Sequence, residues 1–170
     1  MKVRLRSLGS LAPAADVEHL LRGLPWPLSG QDEGPLEIDS TPCVDVVRGQ
    51  LDAACLLQRL PSPPAGEALL VLTGHDLFLP ALTHVFGASL LGHRRGVLSW
   101  CRLQLAPTPD PGLGRRMLIE ATHELGHALG LVHCPVTHCA MHRTLWPEGI
   151  ELKQPDYCPI CRDLLRRLVQ

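Results

Sequence analysis

The hydrophobic and polar positions alternate between a period of two and a period near 3.6. Residues 2–8 interleave charged and apolar side chains, the pattern of a half-buried strand. Residues 13–24 place Val17, Leu20, Leu21 and Leu24 at helical spacing, with Pro13 near the start and Gly23 and Pro25 at the end. Residues 35–39 read as a short strand. Residues 50–60 carry Leu51, Cys55, Leu56 and Leu60 on a helical period that Pro61 stops, and 61–66 form a connector. Residues 68–72 are a continuous apolar run, the mark of a strand covered on both faces. Residues 73–76 turn the chain. Within 95–105 a further strand is predicted through Gly96–Leu103, then a proline-rich loop over 107–114, a long helix over 114–129 and a short helix over 161–169. Strands alternating with helices predict an α/β domain.

The 170 residues fit one domain, and 45% apolar against 19% charged residues supplies a core. Aromatics are only 4%, so that core rests on Leu, Val, Ile and Ala. A formal net charge of −1 leaves no basic excess for phosphates, so nucleic acid is not an expected partner. No apolar run reaches the length of a membrane span, and the first residues lack the apolar core of a signal peptide, so the expected compartment is the cytoplasm. Seven cysteines without such a signal argue against a disulfide framework. Four of them lie between 134 and 161, while Cys43, Cys55 and Cys101 are scattered. The composition shifts after residue 130, where His, Cys and Pro dominate. The expectation is one domain over 1–170, with an upper α/β part over 1–130 and a Cys-rich lower part over 131–170. The lower part is too short for a core of its own and is held by metal.

Within the long predicted helix stands His123-Glu124-Leu-Gly-His127, followed by Gly130 and His133. Residues four apart share a helix face, so both imidazoles point the same way, while Leu118, Ala121, Leu125, Ala128 and Leu129 gather opposite them. Arg116 and Glu120 fall on the ligand side and are expected to line a cleft. Gly130 suits a helix C-terminus and turns the chain so that His133 returns as a third ligand. Three histidines and an open fourth position are the donor set of a catalytic zinc, with Glu124 placed as general base. The competing reading is a surface helix with two histidines and a solvated Glu. The extension through Gly130 and His133 makes it the weaker one.

Cys134 and Cys139 form a CxxxxC pair, and Cys158 and Cys161 a CxxC pair 18 residues further on. The spacing predicts a four-thiolate structural zinc that staples the tail to the loop carrying His133. Four buried thiols, a redox CxxC pair and a nucleic-acid finger are the alternatives. The spacing opposes the first, the lack of a surrounding βαβ unit the second, and the weak basic character the third. His138 and His142 read as surface or supporting residues.

HExxHxxGxxH followed by Met141 resembles the metzincin pattern. Cys134 directly after His133, the Cys139-Ala-Met141 triplet and the CxxC tail resemble one metzincin family, the archaemetzincins. Asp76-Leu-Phe-Leu-Pro80, Val85-Phe-Gly87 and Gly96-Val-Leu-Ser-Trp-Cys-Arg-Leu103 are similar to that family's strand segments. The resemblance implies a compact single-domain metzincin-like fold of the α/β class, with a mixed sheet, a long active-site helix and a zinc-stapled tail. It implies two zinc ions, one catalytic on His123, His127 and His133 and one structural on Cys134, Cys139, Cys158 and Cys161. It implies Met141 as a hydrophobic base beneath the catalytic metal. It implies a peptide substrate along an edge strand within 84–98 and, as in some members, aminopeptidase-like action on small peptides. Glu120 is the one carboxylate placed to hold an α-amine, and it reads instead as an ordinary solvated helix residue. The leading expectation is a zinc metallopeptidase. The alternative is a non-catalytic zinc-binding or interaction protein that retains the fold, and the presence of Glu124 with all three histidines favours the enzyme.

Overall fold

The computed structural model describes residues 1–107 and 109–169, so Thr108, within the proline-rich loop expected over 107–114, lies outside the described residues. The chain runs β1 (Lys2–Leu8), α1 (Ala14–Gly23), β2 (Ser29–Pro35), a 3-10 turn (Thr41–Cys43), β3 (Val44–Asp45), β4 (Gln50–Asp52) and α2 (Ala53–Arg59). It continues through β5 (Glu67–Thr73), β6 (Leu77–Leu79), β7 (Leu82–Val85), β8 (Gly87–Leu90), β9 (Arg95–Ser99), α3 (Leu113–Ala128), α4 (Pro147–Ile150) and α5 (Pro159–Leu168). Five strands form one sheet in the order β2-β1-β5-β9-β8, and β3-β4-β6-β7 form a smaller one. Within the larger sheet β1, β2, β5 and β9 pair in parallel, and β8 closes the edge antiparallel to β9.

β5 shows why an unbroken apolar run was needed. Leu70 and Leu72 face one core with Val3, Leu5, Leu98, Leu20, Met117 and Leu125, whereas Leu69 and Val71 face a second with Leu56, Leu57, Leu60 and Val97. Helices α1 and α3 cover the first face and α2 the second. The single α/β domain with a mixed sheet is the architecture expected from the sequence.

Four local expectations are corrected. The strand expected at 35–39 lies earlier, at Ser29–Pro35. That strand is a polar sheet edge with no apolar alternation to mark it, and Leu36 merely closes it by donating N–H to the carbonyl of Ser7 at 2.7 Å. The helix expected from residue 50 begins at Ala53, because Asp52 accepts hydrogen bonds from the N–H groups of Ala54 and Cys55 and caps it. The strand expected through Gly96–Leu103 stops at Ser99, where its partner β5 ends at Thr73, and Trp100–Leu103 turn away. The fourth concerns the cysteines. Cys43 and Cys55 are joined by a disulfide, because the β3–β4 hairpin folds back and brings residues 12 apart in sequence to a Cα–Cα distance of 5.5 Å.

Candidate zinc active site

Helix α3 crosses the larger sheet and is buried over nearly its whole length. Its start is fixed by Asp110, which accepts hydrogen bonds from the N–H groups of Leu105 and Gly112 and from Arg116 at 2.5 Å. Burial alone would push the Asp110 carboxyl up, yet these donors hold it at about 2. Arg116, expected in the cleft, is therefore a buried clamp: it also donates to the carbonyl of Leu103 and to Glu151.

The end of α3 shapes the ligand set. Gly130 sits at φ +106, donates to the carbonyl of His127 at 2.9 Å, and Leu131 donates to that of Gly126 at 2.8 Å. This paired closure around a left-handed glycine reverses the chain and returns His133 beside the helix. The Nε2 atoms of His123 and His127 stand 3.1 Å apart, and the His133 ring centroid lies 5.3 Å and 4.8 Å from theirs. Each helix histidine is oriented through its other nitrogen. Nδ1 of His123 donates to the carbonyl of Ala140 at 2.7 Å, and Nδ1 of His127 to that of Leu131 at 2.8 Å. Carbonyls only accept, so both protons sit on Nδ1 and both Nε2 lone pairs face the shared point. Burial lowers all three imidazoles, His123 to about 3, which keeps them neutral and ready to bind metal.

Glu124 is buried beside this cluster. Burial and the neighbouring Glu120 raise its carboxyl to about 8, and a hydrogen bond from Ser89 Oγ at 2.7 Å opposes the rise. Glu120, Glu124 and His123 each place a ligand atom within 4.8 Å of the others. Glu120 is not solvated as expected. It is buried, faces the Lys153 ammonium at 3.6 Å from Oε2, and that oxygen accepts no hydrogen bond among the described residues. Lys153 donates to the carbonyl of His142 at 3.1 Å and approaches that of Ala140 at 3.5 Å, gripping the chain on both sides of Met141. Met141 is fully buried and lies against Gly126 of α3.

The four tail cysteines converge with their sulfurs within 4.8 Å of one another. Sγ of Cys134 and Cys158 are 3.8 Å apart. That matches the edge of about 3.8 Å for a tetrahedron with zinc–sulfur bonds of about 2.3 Å. Cys158 N–H donates to Cys139 Sγ at 3.3 Å, and Cys134 N–H to the carbonyl of Met141 at 3.0 Å. The second bond ties the thiolate loop to the chain beneath the histidines. Tyr157 docks the tail on α3 by donating its hydroxyl to the carbonyl of Thr122 at 2.8 Å. His142 donates Nδ1–H to the carbonyl of Cys134, and His138 is exposed, so neither joins a ligand set.

A cavity of about 550 Å³ opens over the histidines, walled by β8 and the chain before it, by α2 and by Arg143–Leu145. Two side chains here escaped sequence reasoning: Ser89 and Lys153. Their partners are remote in sequence, so no local pattern marks them. Among the described residues no helix is long and apolar enough to cross a membrane.

The family model for Peptidase family M54 matches residues 65–167. A protein named archaemetzincin from Methanopyrus kandleri is 40% identical over 122 residues, covering 71% of this chain and 69% of that one. The crystal structure of archaemetzincin from the same organism superposes with a TM-score of 0.86 at 30% identity, covering 99% of this chain and 95% of that one. A structure described as a zinc-dependent peptidase from Methanocorpusculum labreanum superposes with a TM-score of 0.78 at 26% identity, covering 96% and 99%.

Proposed function

The chain belongs to the archaemetzincins, peptidase family M54, and from that premise we propose where this zinc metallopeptidase holds its metal and how it cleaves peptides. His123, His127 and His133 hold a catalytic zinc, and Cys134, Cys139, Cys158 and Cys161 hold a structural one, giving two ions per chain. Residues 1–130 supply the sheet, its edge and the ligand helix. Residues 131–170 supply the third histidine, the supporting methionine and the thiolate staple. Held by these histidines, zinc would supply Lewis-acid chemistry toward the scissile carbonyl and toward water. Glu124 takes the proton from the attacking water at its carboxylate and hands it to the leaving amine. The single observation that carries this reading is the convergence of neutral imidazoles on one point beside Glu124 inside the cavity.

The outer edge of β8 faces the cavity, and an extended peptide adds to it by main-chain pairing. Action on short peptides with a free N-terminus is supported by Glu120. It lines the same cavity and places one carboxylate oxygen within 4.8 Å of a Glu124 oxygen, which puts an acceptor for an ammonium group beside the base.

Elemental analysis of the isolated protein tests the metal count, with two zincs per chain expected. A peptide library with free and N-acetylated termini tests the specificity. Acetylation is expected to block cleavage, and equal cleavage of both sets would remove the exopeptidase reading. Glu124→Gln is expected to lower the rate by about 10²–10⁴-fold with zinc retained. An unchanged rate would remove Glu124 as the base.

A further inference from the structure

The strand that borders the cavity also holds the carboxylate beneath it. Ser89 lies in β8, and its Oγ stands 2.7 Å from Glu124 Oε2 and 2.8 Å from the Glu124 carbonyl. Two glycines make room for that contact. Gly96 is the cross-strand partner of Ser89 on β9, and a Cβ there would fall 2.7 Å from Ser89 Oγ. Gly87 is two residues before Ser89 and so on the same face of β8. A Cβ at Gly87 would fall 2.6 Å from Glu124 Cγ and 2.8 Å from the carbonyl of Val97. Bare backbone at these two positions lets Glu124 lie against β8 and lets the Ser89 hydroxyl reach it.

We propose that Ser89 is a positioning residue for Glu124: its hydroxyl ties down one carboxylate oxygen so that the other is presented toward the histidine cluster. The proposal rests on the reading of Glu124 as the general base. Its physical ground is that a hydrogen bond to a carboxylate removes rotational freedom that a buried side chain would otherwise keep, and a misplaced base loses rate steeply. It also ties peptide docking to base placement, because the edge that pairs with substrate is the strand that carries the tether.

The test compares zinc-loaded wild type with Ser89→Ala, Ser89→Thr, Glu124→Gln and the Ser89→Ala/Glu124→Gln double variant. Peptide hydrolysis is read as kcat and KM, zinc by elemental analysis, and binding of a peptidyl hydroxamate by titration calorimetry. Ser89→Ala is expected to lower kcat by about tenfold to a hundredfold, the worth of one hydrogen bond to a charged group. KM and zinc content should stay as in wild type, and Ser89→Thr should keep most of the rate. Hydroxamate affinity should weaken in Ser89→Ala and be kept in Ser89→Thr. In the Glu124→Gln background the alanine change should alter neither rate nor hydroxamate affinity further, since Ser89 acts through Glu124. A wild-type kcat in Ser89→Ala, a loss of zinc, or the same additional loss without Glu124 each overturns the proposal. If wild type cleaves no peptide, the proposed function fails on its own. The hydroxamate titration then decides Ser89: equal binding by wild type and Ser89→Ala overturns the tether, and weakening that needs Glu124 sustains it.

Discussion

A side-chain carbon on Gly126 would fall 2.3 Å from the sulfur of Met141, so the helix that carries the histidines and the chain beneath them meet at a position with no room for a methyl group. Met141 has nowhere to retreat, since it is fully buried and Tyr157 closes the same spot 3.2 Å from that carbon. Gly126→Ala gains helix propensity, yet overpacking a filled core costs about 1–3 kcal/mol and outweighs it. Thermal unfolding is expected to show a destabilised protein. The double variant Gly126→Ala/Met141→Ala should be less destabilised than the sum of its two single changes. Simple additivity would mean that the two residues do not meet.

Lys153 and Glu120 form the buried ion pair nearest the histidines, with side chains 1% and 7% exposed. Removing one partner strands the other. Lys153→Met leaves the Glu120 carboxyl in a site where burial already raises it, and breaking a buried pair this way costs about 3–5 kcal/mol. It also frees the carbonyls of Ala140 and His142. The paired change Lys153→Met/Glu120→Gln removes both charges and should recover much of that loss. Chemical denaturation of wild type and the two variants measures it. Equal stability of the single and double variants would show that the charge pairing contributes little.

How the site reads from the sequence depends on the range of each interaction. The ligand helix was legible because its spacing, its glycine at 130 and its apolar residues all obey one local period. The thiolate site was legible because four cysteines at metal-binding spacing leave few alternatives. Ser89 was not, because its meaning lies in a carboxylate 35 residues away. Lys153 carries no local signal, and only the folded chain shows it buried. Strand β2 escaped because a polar sheet edge carries no alternation. The Cys43–Cys55 disulfide escaped because it depends on a short hairpin in a stretch that carries no strand pattern and runs into the helix expected from residue 50. Local periodicity thus marked the candidate ligands. The residues that orient them came from long-range packing.

The metal-free protein should be most stable near pH 6.5. His123 is lowered from 6.5 to about 3, so the unfolded chain binds more protons between those values; the stability it contributes is present above 6.5 and lost as the pH falls toward 3. His127 and His133 are lowered as well and act in the same direction. Glu124 is raised from 4.5 to about 8, so its contribution is present below 4.5 and lost as the pH rises toward 8. Three histidines outweigh the buried carboxyls on the acid side, and Glu124, joined by Glu120, which burial also raises, acts on the alkaline side. Unfolding midpoints across pH 4–8 for the metal-free chain should therefore trace a dome. Zinc-loaded protein should follow a flatter curve, because bound metal holds the imidazoles neutral and favours the ionised carboxyl. A metal-free midpoint that climbs steadily to pH 8 would contradict the burial of Glu124.

The thiolate staple and the histidine site share one segment of chain, so loss of the first should weaken the second. Cys134 follows His133 directly, and its N–H bonds to the carbonyl of Met141, whose neighbour Ala140 orients His123. Structural zinc of this kind contributes about 10–16 kcal/mol of apparent binding free energy, on top of the apolar contacts that Met141, Ile150, Tyr157 and Leu165 make with the core. Cys158→Ser removes one ligand from the staple and the sulfur that lies 3.8 Å from Cys134. The expected outcome is loss of the tail zinc, rapid proteolysis within residues 131–170, and weaker zinc binding by the histidines even though none of them is altered. Elemental analysis, limited proteolysis and zinc titration of the variant measure the three effects. Unchanged zinc affinity at the histidines would show that His133 is held by the α3 turn at Gly130 alone, and that the staple serves only the tail.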